Sequence, residues 1–238
     1  MPRKPSAATA GPVVRPRVRR GNLDDANRLR SDLLDAAMAQ FAAGGVDAVS
    51  IRGVAAALGV SPMTPYRYFA DKAELLRGLW VSVIQALVDR VRVVMDGGLA
   101  GVALQRAYAD AFLGYWEDHP DHYRLVYMTE KTSGRDPKAP LVDAPVYAEI
   151  LEFGERVTRS VAAEIGAGLT HAKIAGDIRF AMQLGYLQAA LVNRRYPWTE
   201  RGVLRAALVE QIVQAVQRCL LDGPTGPTSP TKVRSGAA

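Results

Sequence analysis

From residue 23 onward almost every stretch of this sequence repeats its apolar residues at three- and four-residue spacing, and none alternates with the two-residue rhythm of a strand. Leu29, Leu33, Leu34, Ala37, Met38 and Phe41 make the first such stripe, the apolar face of a helix over roughly Asp25 to Ala43. Breaks fall at Gly44-Gly45, Gly59, Gly97-Gly98, Pro120, residues 133–140, Gly166 to Gly168, and Pro197. The pattern predicts an all-α chain of about nine helices, three of them short. With 49% hydrophobic residues in 238 there is enough apolar material for a packed core. No run reaches the roughly 18–20 uncharged apolar residues of a membrane-spanning helix, and no apolar segment follows the basic start as a secretory signal would require. The single cysteine, Cys219, excludes an intramolecular disulfide and fits a reducing compartment. A cytoplasmic chain is expected.

The charge is unevenly placed. Residues 1–22 hold Arg3, Lys4, Arg15, Arg17, Arg19 and Arg20 and no acid, so the whole net charge of +6 sits there and the remainder balances. With four prolines and little apolar surface, this arm is expected to be mobile. It acts either as a solubilising tail or as a source of affinity for nucleic acid through counterion release, with Arg15, Arg17, Arg19 and Arg20 as its backbone contacts. The expected organisation is an arm at 1–22, a small helical domain at 23–80, a larger one at 81–222, and a Gly/Pro/Ser/Thr-rich tail at 223–238.

After the glycine pair, Ser50 reads as the N-cap of a short helix from Ile51 to Leu58, stopped by Gly59. A second short helix follows almost at once, with Ser61 as cap and Pro62 at the first helical position. A long helix opens at Asp71 with Glu74 three residues later, a capping-box spacing. Two short helices around a Gly-containing turn, packed on a longer one, make a helix-turn-helix. The second reads Ser61-Pro62-Met63-Thr64-Pro65-Tyr66-Arg67-Tyr68-Phe69. Rich in hydroxyls and aromatics, with little besides Phe69 to bury, it suits a surface laid against something polar.

The run Val49-Ser50-Ile51-Arg52, then Val54-Ala55-Ala56-Ala57-Leu58-Gly59-Val60-Ser61, then Tyr66-Arg67-Tyr68-Phe69-Ala70-Asp71-Lys72-Ala73-Glu74-Leu75-Leu76, resembles the N-terminal domain of TetR-family regulators over about 50 residues. The resemblance implies DNA binding by Ser50, Arg52, Ser61, Met63, Thr64, Tyr66, Arg67, Tyr68 and Lys72. Met63, Thr64 and Arg67 fall where the recognition helix faces the major groove, Arg67 suited to a bidentate contact with guanine. Tyr66 and Tyr68 match phosphate-contacting positions, and Lys72 matches a phosphate anchor at a helix N-terminus. Pro65 departs from the family, which usually has an aliphatic residue there. At the fourth helical position it removes a backbone hydrogen bond and crowds the Ser61 carbonyl, so the recognition helix is expected to be distorted or to start later.

Helices are expected at about 99–118, 121–129, 143–166, 170–194 and 200–221. The resemblance implies that this region binds a small effector and forms a homodimer, and hence that the operator is nearly palindromic. The stretch His119-Pro120-Asp121-His122-Tyr123-Arg124-Leu125 resembles the HP-x-x-YRL signature of one subgroup of these regulators. Tyr108, Phe112, Trp116, Tyr127, Phe153, Phe180 and Tyr186 are candidates for an apolar or aromatic ligand pocket, though such residues on a helical bundle are usually core. Ile174, Ile178, Ala181, Gly185 and Ala189, with Leu204, Leu208, Ile212, Ala215 and Cys219, are candidates for the dimer interface. His119 and His122 lack a third ligand, so no metal is expected, nor any cofactor. Without a Gly-rich phosphate loop, GxSxG or HExxH, no enzyme is expected either. A ligand-released repressor is the reading that results, against the alternative of a non-specific DNA-packaging protein.

Overall fold

The computed structural model describes residues 20–129, 145–193 and 195–223. Among them lie eight α-helices and one 3₁₀ turn, with no strand. The helices are α1 (Arg20–Ala48), α2 (Ile51–Ala57), α3 (Lys72–Met95), α4 (Gly101–Asp118), α5 (Pro120–Tyr127), α6 (Pro145–Glu164), α7 (Ala172–Val192) and α8 (Arg201–Asp222), and the 3₁₀ turn is Pro65–Arg67.

The glycine pair breaks α1 as its sequence dictates. Gly44 and Gly45 leave helical geometry within the span, Gly45 at φ 70, a conformation that residues with a Cβ seldom adopt. The stripe before the break is buried: Leu33, Leu34, Ala37 and Phe41 face α3 and the short helices. Their partners include Val49, Ile51, Val54, Phe69, Leu75 and Leu79, each at most 6% exposed. Burying a side chain of this size is worth roughly 1.5–3 kcal/mol, so these contacts carry a helix α2 of only seven residues, far too short to persist alone.

Helix α3 continues without interruption from this head into the larger bundle, burying Leu75 and Leu79 at one end and Leu87, Val91 and Met95 at the other. The expected boundary after residue 80 falls inside it. Helix α4 is the centre of the bundle, touching α3, α5, α6, α7 and α8. One apolar cluster runs from Leu33 and Phe69 in the head to Tyr108, Phe153 and Leu187 in the bundle. A second, at the far end of α6, α7 and α8, holds Val161, Ala162, Ala175, Ile212, Val216, Cys219 and Leu220.

Two expectations are corrected here. The second short helix, expected to begin at Ser61 and Pro62, is reduced to the 3₁₀ turn Pro65–Arg67. On α8, Ile212 and Cys219 are buried within their own chain and so do not line a dimer face, while Leu204, Leu208 and Ala215 are half-buried. Periodicity locates an apolar stripe but not the helix that covers it, and here α4, α6 and α7 do so. On α7 the expected set divides the other way: Ile174, Ala181 and Gly185 are exposed, Ile178 and Ala189 half-buried.

Candidate nucleic-acid interface

Each piece of the head is fixed by local hydrogen bonds. Ser50 caps α2, its Oγ accepting from Gly53 N at 3.0 Å, while its own backbone N–H donates to Gln40 Oε1 of α1 at 2.9 Å. A Cβ on Gly53 would meet Ser50 Oγ at 2.7 Å and Gln40 Nε2 at 2.8 Å, so a larger residue here must displace the capping hydroxyl and the Gln40 amide. Asp71 caps α3, its Oδ1 accepting from Glu74 N at 2.8 Å, and Glu74 Oε2 reaches back to accept from Ala70 N. This is a capping box displaced by one residue, since the returning bond goes to Ala70 rather than to the cap itself.

Between these two caps, Pro65 governs the backbone. It has no N–H to offer the Ser61 carbonyl, and Thr64 N takes that acceptor instead, at 2.8 Å. Regular winding then starts at Pro65, whose carbonyl accepts from both Tyr68 N and Phe69 N at 2.9 Å. Ser61 Oγ makes only a long contact of 3.4 Å with Met63 N. Pro65 is itself buried, and Phe69, 1% exposed, anchors the turn under α3 with the Arg30 guanidinium over its ring.

The other side of this segment is open. Ser50, Arg52, Ser61, Met63, Tyr66 and Arg67 are exposed, while Thr64, Tyr68 and Lys72 are half-buried. Met63 stands out at 67% exposure, with nothing apolar covering it. Tyr68 packs against the core by one face, and Lys72 is the first residue of α3, beside the free N–H groups of that helix. Among the described residues, none of Arg52, Arg67 and Lys72 enters an ion pair. An exposed edge of cations, hydroxyls and helix N-termini suits the phosphates and base edges of duplex DNA. Of the expected arm, Arg15, Arg17 and Arg19 lie outside the described residues, and Arg20 opens α1.

Residues 33–79 match the family model for bacterial regulatory proteins of the tetR family. These residues are similar to the N-terminal domain of that family. No curated protein matches the chain. Solved structures do, at identities that establish the fold. A TetR-family transcription regulator of Marinobacter aquaeolei VT8 is 18% identical, with a TM-score of 0.62 over 81% of this chain and 97% of that one. A TetR-family regulatory protein of Rhodococcus RHA1 is 16% identical, with a TM-score of 0.61 over 79% of this chain and 96% of that one. The transcriptional regulator FadR of Bacillus subtilis, solved with stearoyl-CoA, is 13% identical, with a TM-score of 0.63 over 82% and 98%. Among the described residues, no helix is long and apolar enough to cross a membrane.

Behind this head, five of the seven aromatic candidates are buried: Tyr108, Phe112 and Trp116 on α4, Phe153 on α6 and Tyr186 on α7. Tyr127 and Phe180 are exposed at 37% and 45%. Phe112 joins three of the others, its centroid 6.4 Å from Tyr108, 6.2 Å from Trp116 and 6.4 Å from Phe180, the last two edge to face. None of the seven lines the two clefts found on the surface. One, of about 330 Å³, lies among Pro120, Arg124, Met128, Leu191 and Val192. The other, of about 420 Å³, lies between Arg106 and Asp110 of α4 and Ala206 and Glu210 of α8.

The HP-x-x-YRL stretch forms the junction between α4 and α5. His119 and His122 stack with centroids 4.8 Å apart. The Tyr115 hydroxyl donates to Val83 O at 2.9 Å, so it accepts from His122 Nδ1 at 2.9 Å and fixes that tautomer. Burial and the neighbouring His119 pull the His122 pKa down to about 4 against the opposing effect of Asp121.

Sequence reasoning missed the buried polar residues of the bundle, Gln105, Thr158, Arg179 and Gln183, all at most 5% exposed. Arg179 was hidden because it occupies a core position in a stripe whose other members are Ala175, Gln183, Tyr186, Leu187 and Ala190. A charged residue at an apolar phase of α7 was the signal that could have revealed it.

Proposed function

We propose that this chain is a sequence-specific repressor that binds a near-palindromic operator as a homodimer and is released by a small effector with an apolar or aromatic body. The observation that carries the DNA-binding part is the edge formed by α2, the 3₁₀ turn and the start of α3, where Arg52, Met63 and Arg67 are exposed, Lys72 is half-buried, and none of the three cations enters an ion pair among the described residues. Arg52, Met63, Thr64 and Arg67 read base edges. Ser50, Ser61, Tyr66, Tyr68 and Lys72 hold the phosphates, with the basic arm as an electrostatic companion. The exposed α7 face of Ile174, Ala181 and Gly185 supports a two-fold contact between copies. Switching follows if effector binding changes the separation of the two heads, which must match successive major grooves about 34 Å apart. The buried aromatic cluster supports an apolar effector, as does the fold shared with FadR, which was solved with stearoyl-CoA. A cytoplasmic location accords with this role.

The test is a gel shift with inverted repeats taken from DNA flanking the gene. One repeat should be retarded by a dimer at nanomolar protein and resist competition by unrelated duplex. Equal affinity for all sequences would replace the reading with non-specific packaging.

A further inference from the structure

All four buried polar residues of the bundle lie at one level. On α4, Gln105 falls between Val102, which packs on the distal apolar cluster, and Tyr108 of the main one. On α6, Thr158 falls between Val157 of the main cluster and Val161 of the distal one. On α7, Arg179 and Gln183 fall between Ala175 of the distal cluster and Leu187 of the main one. Among α4, α6 and α7 the two apolar clusters are therefore parted by polar residues with a cation among them, while Leu208 of α8 packs against both.

Among the described residues that cation has no anion. Arg179 Nη1 donates to Thr158 Oγ1 at 2.8 Å and to Gln105 Oε1 at 3.4 Å, and Nη2 donates to Gly154 O at 2.9 Å. The Tyr108 ring lies beneath, 5.2 Å from the guanidinium carbon. Every partner is neutral. The contrast with Arg205 is plain: it is far less buried, yet it takes Glu117 at 2.6 Å and Asp110 at 2.9 Å. Arg179 has five N–H groups, and these bonds leave Nε–H and one Nη2–H unengaged. The in-plane N–H groups of a guanidinium can grip a carboxylate as a fork with two parallel bonds.

The neighbouring orphans have the same polarity. Among the described residues, the buried side-chain polar atoms lacking a partner are Trp80 Nε1, Gln105 Nε2, Trp116 Nε1 and Gln183 Nε2, all of them N–H donors. Gln105 cannot be turned around to cure this, because Arg179 requires its oxygen. Gln183 lies one turn beyond Arg179 on the same face of α7. A buried cation flanked by unsatisfied donors is costly unless an acceptor of negative charge arrives.

We infer that the effector is a carboxylic acid with an apolar body, whose carboxylate is held by the Arg179 fork with Gln105 and Gln183 donating beside it. This rests on the ligand-controlled reading above and gives that effector its chemical class. A monoanion matches the single cation of the layer, whereas a phosphate ester carries closer to two charges. The apolar body lies along the α4 stripe of Tyr108, Phe112 and Trp116, which leads away from the layer. Phe180 follows Arg179 in the chain, is 45% exposed and meets Phe112 edge to face, so its rotation connects that stripe to the surface.

The experiment titrates the full-length protein, free of DNA, with decanoate and 4-phenylbutyrate, each against its own primary amide, by calorimetry and thermal shift. At least one acid should bind ten or more times tighter than its amide. Arg179→Met should bind acid and amide within about twofold of each other, and without ligand it should melt no lower than the wild type, since an uncompensated charge has been removed. If Arg179→Met does not fold, Arg179→Lys and Gln183→Leu provide the comparison, each weakening the acid severalfold while leaving the amide unchanged. Equal binding of acid and amide by the wild type, no binding of either acid at millimolar concentration, or an acid preference that survives in Arg179→Met would overturn the inference. Operator binding is measured separately: its loss would refute the regulator reading alone, and its presence without acid preference would refute this inference alone.

Discussion

The guanidinium of Arg124 on α5 lies over the ring of Phe41 on α1, its carbon 5.9 Å from the ring centroid. Phe41 is the last residue of the stripe that organises the DNA-binding head, and Arg124 belongs to the bundle, where Asp121 holds it at 3.0 Å. The pair is a side-chain contact between the helix-turn-helix head and the larger bundle. Arg124→Ala should lower stability by about 0.5–1 kcal/mol, the value of a partly exposed cation–π contact, and blunt effector-driven release while leaving effector-free operator affinity nearly unchanged. Thermal melts and operator titrations with and without effector measure both.

Arg67 and Lys72 should fail in different ways. Arg67→Ala should cost about 1–3 kcal/mol on the operator and relax the preference at one base position. Lys72→Ala should weaken all sequences alike and reduce the slope of log affinity against log salt by about one. Gel shifts over a salt series, with operators varied at single positions, separate the two.

Pro65→Leu would restore the missing N–H and allow the winding that now begins at Pro65 to start nearer Ser61. The expected result is a changed base preference at a nearly unchanged salt slope, because Lys72, the cationic phosphate anchor, lies outside the altered turn. Selection from a randomised operator library reads the preference directly.

Gly53→Ala places a methyl group 2.7 Å from Ser50 Oγ and 2.8 Å from Gln40 Nε2. Losing that cap should cost about 0.5–2 kcal/mol, visible as a lowered melting temperature and as weaker operator binding with an unaltered base preference.

The His122 pKa is depressed in the fold to about 4 from an ordinary 6.5. Below pH 6.5 the unfolded chain therefore binds more protons there than the native one, so stability should fall as pH drops from 6.5 towards 4 and level off below. His122→Asn, which keeps a donor for the Tyr115 oxygen, should flatten that part of the curve. Melts at half-unit pH steps compare the two proteins.

The sequence disclosed the helices because each carries a stripe of period 3.6, and it disclosed both caps of the head because Ser50 and Asp71 act on residues three positions away. It also located the disturbance at Pro65, since a missing N–H is a property of one residue. What it concealed depends on neighbours distant in the chain. The α8 stripe through Ile212 and Cys219 is indistinguishable, as sequence, from one that meets a second copy, and only its packing against α4, α6 and α7 decides. The layer around Arg179 is assembled from three helices at separations of 21 to 74 residues, beyond the reach of any local pattern.

Helix α3 runs unbroken for 24 residues, its first half in the core of the head and its second half in that of the bundle. The reading head is therefore not a cassette. A chimaera joined at residue 80 would sever a rod and orphan Leu87, Val88 and Val91, whereas one joined at the Gly97-Gly98 turn would carry the rod across whole. Anyone wishing to transplant this head should cut there, and should choose a recipient whose first helix offers the far end of the rod a surface like that of α4.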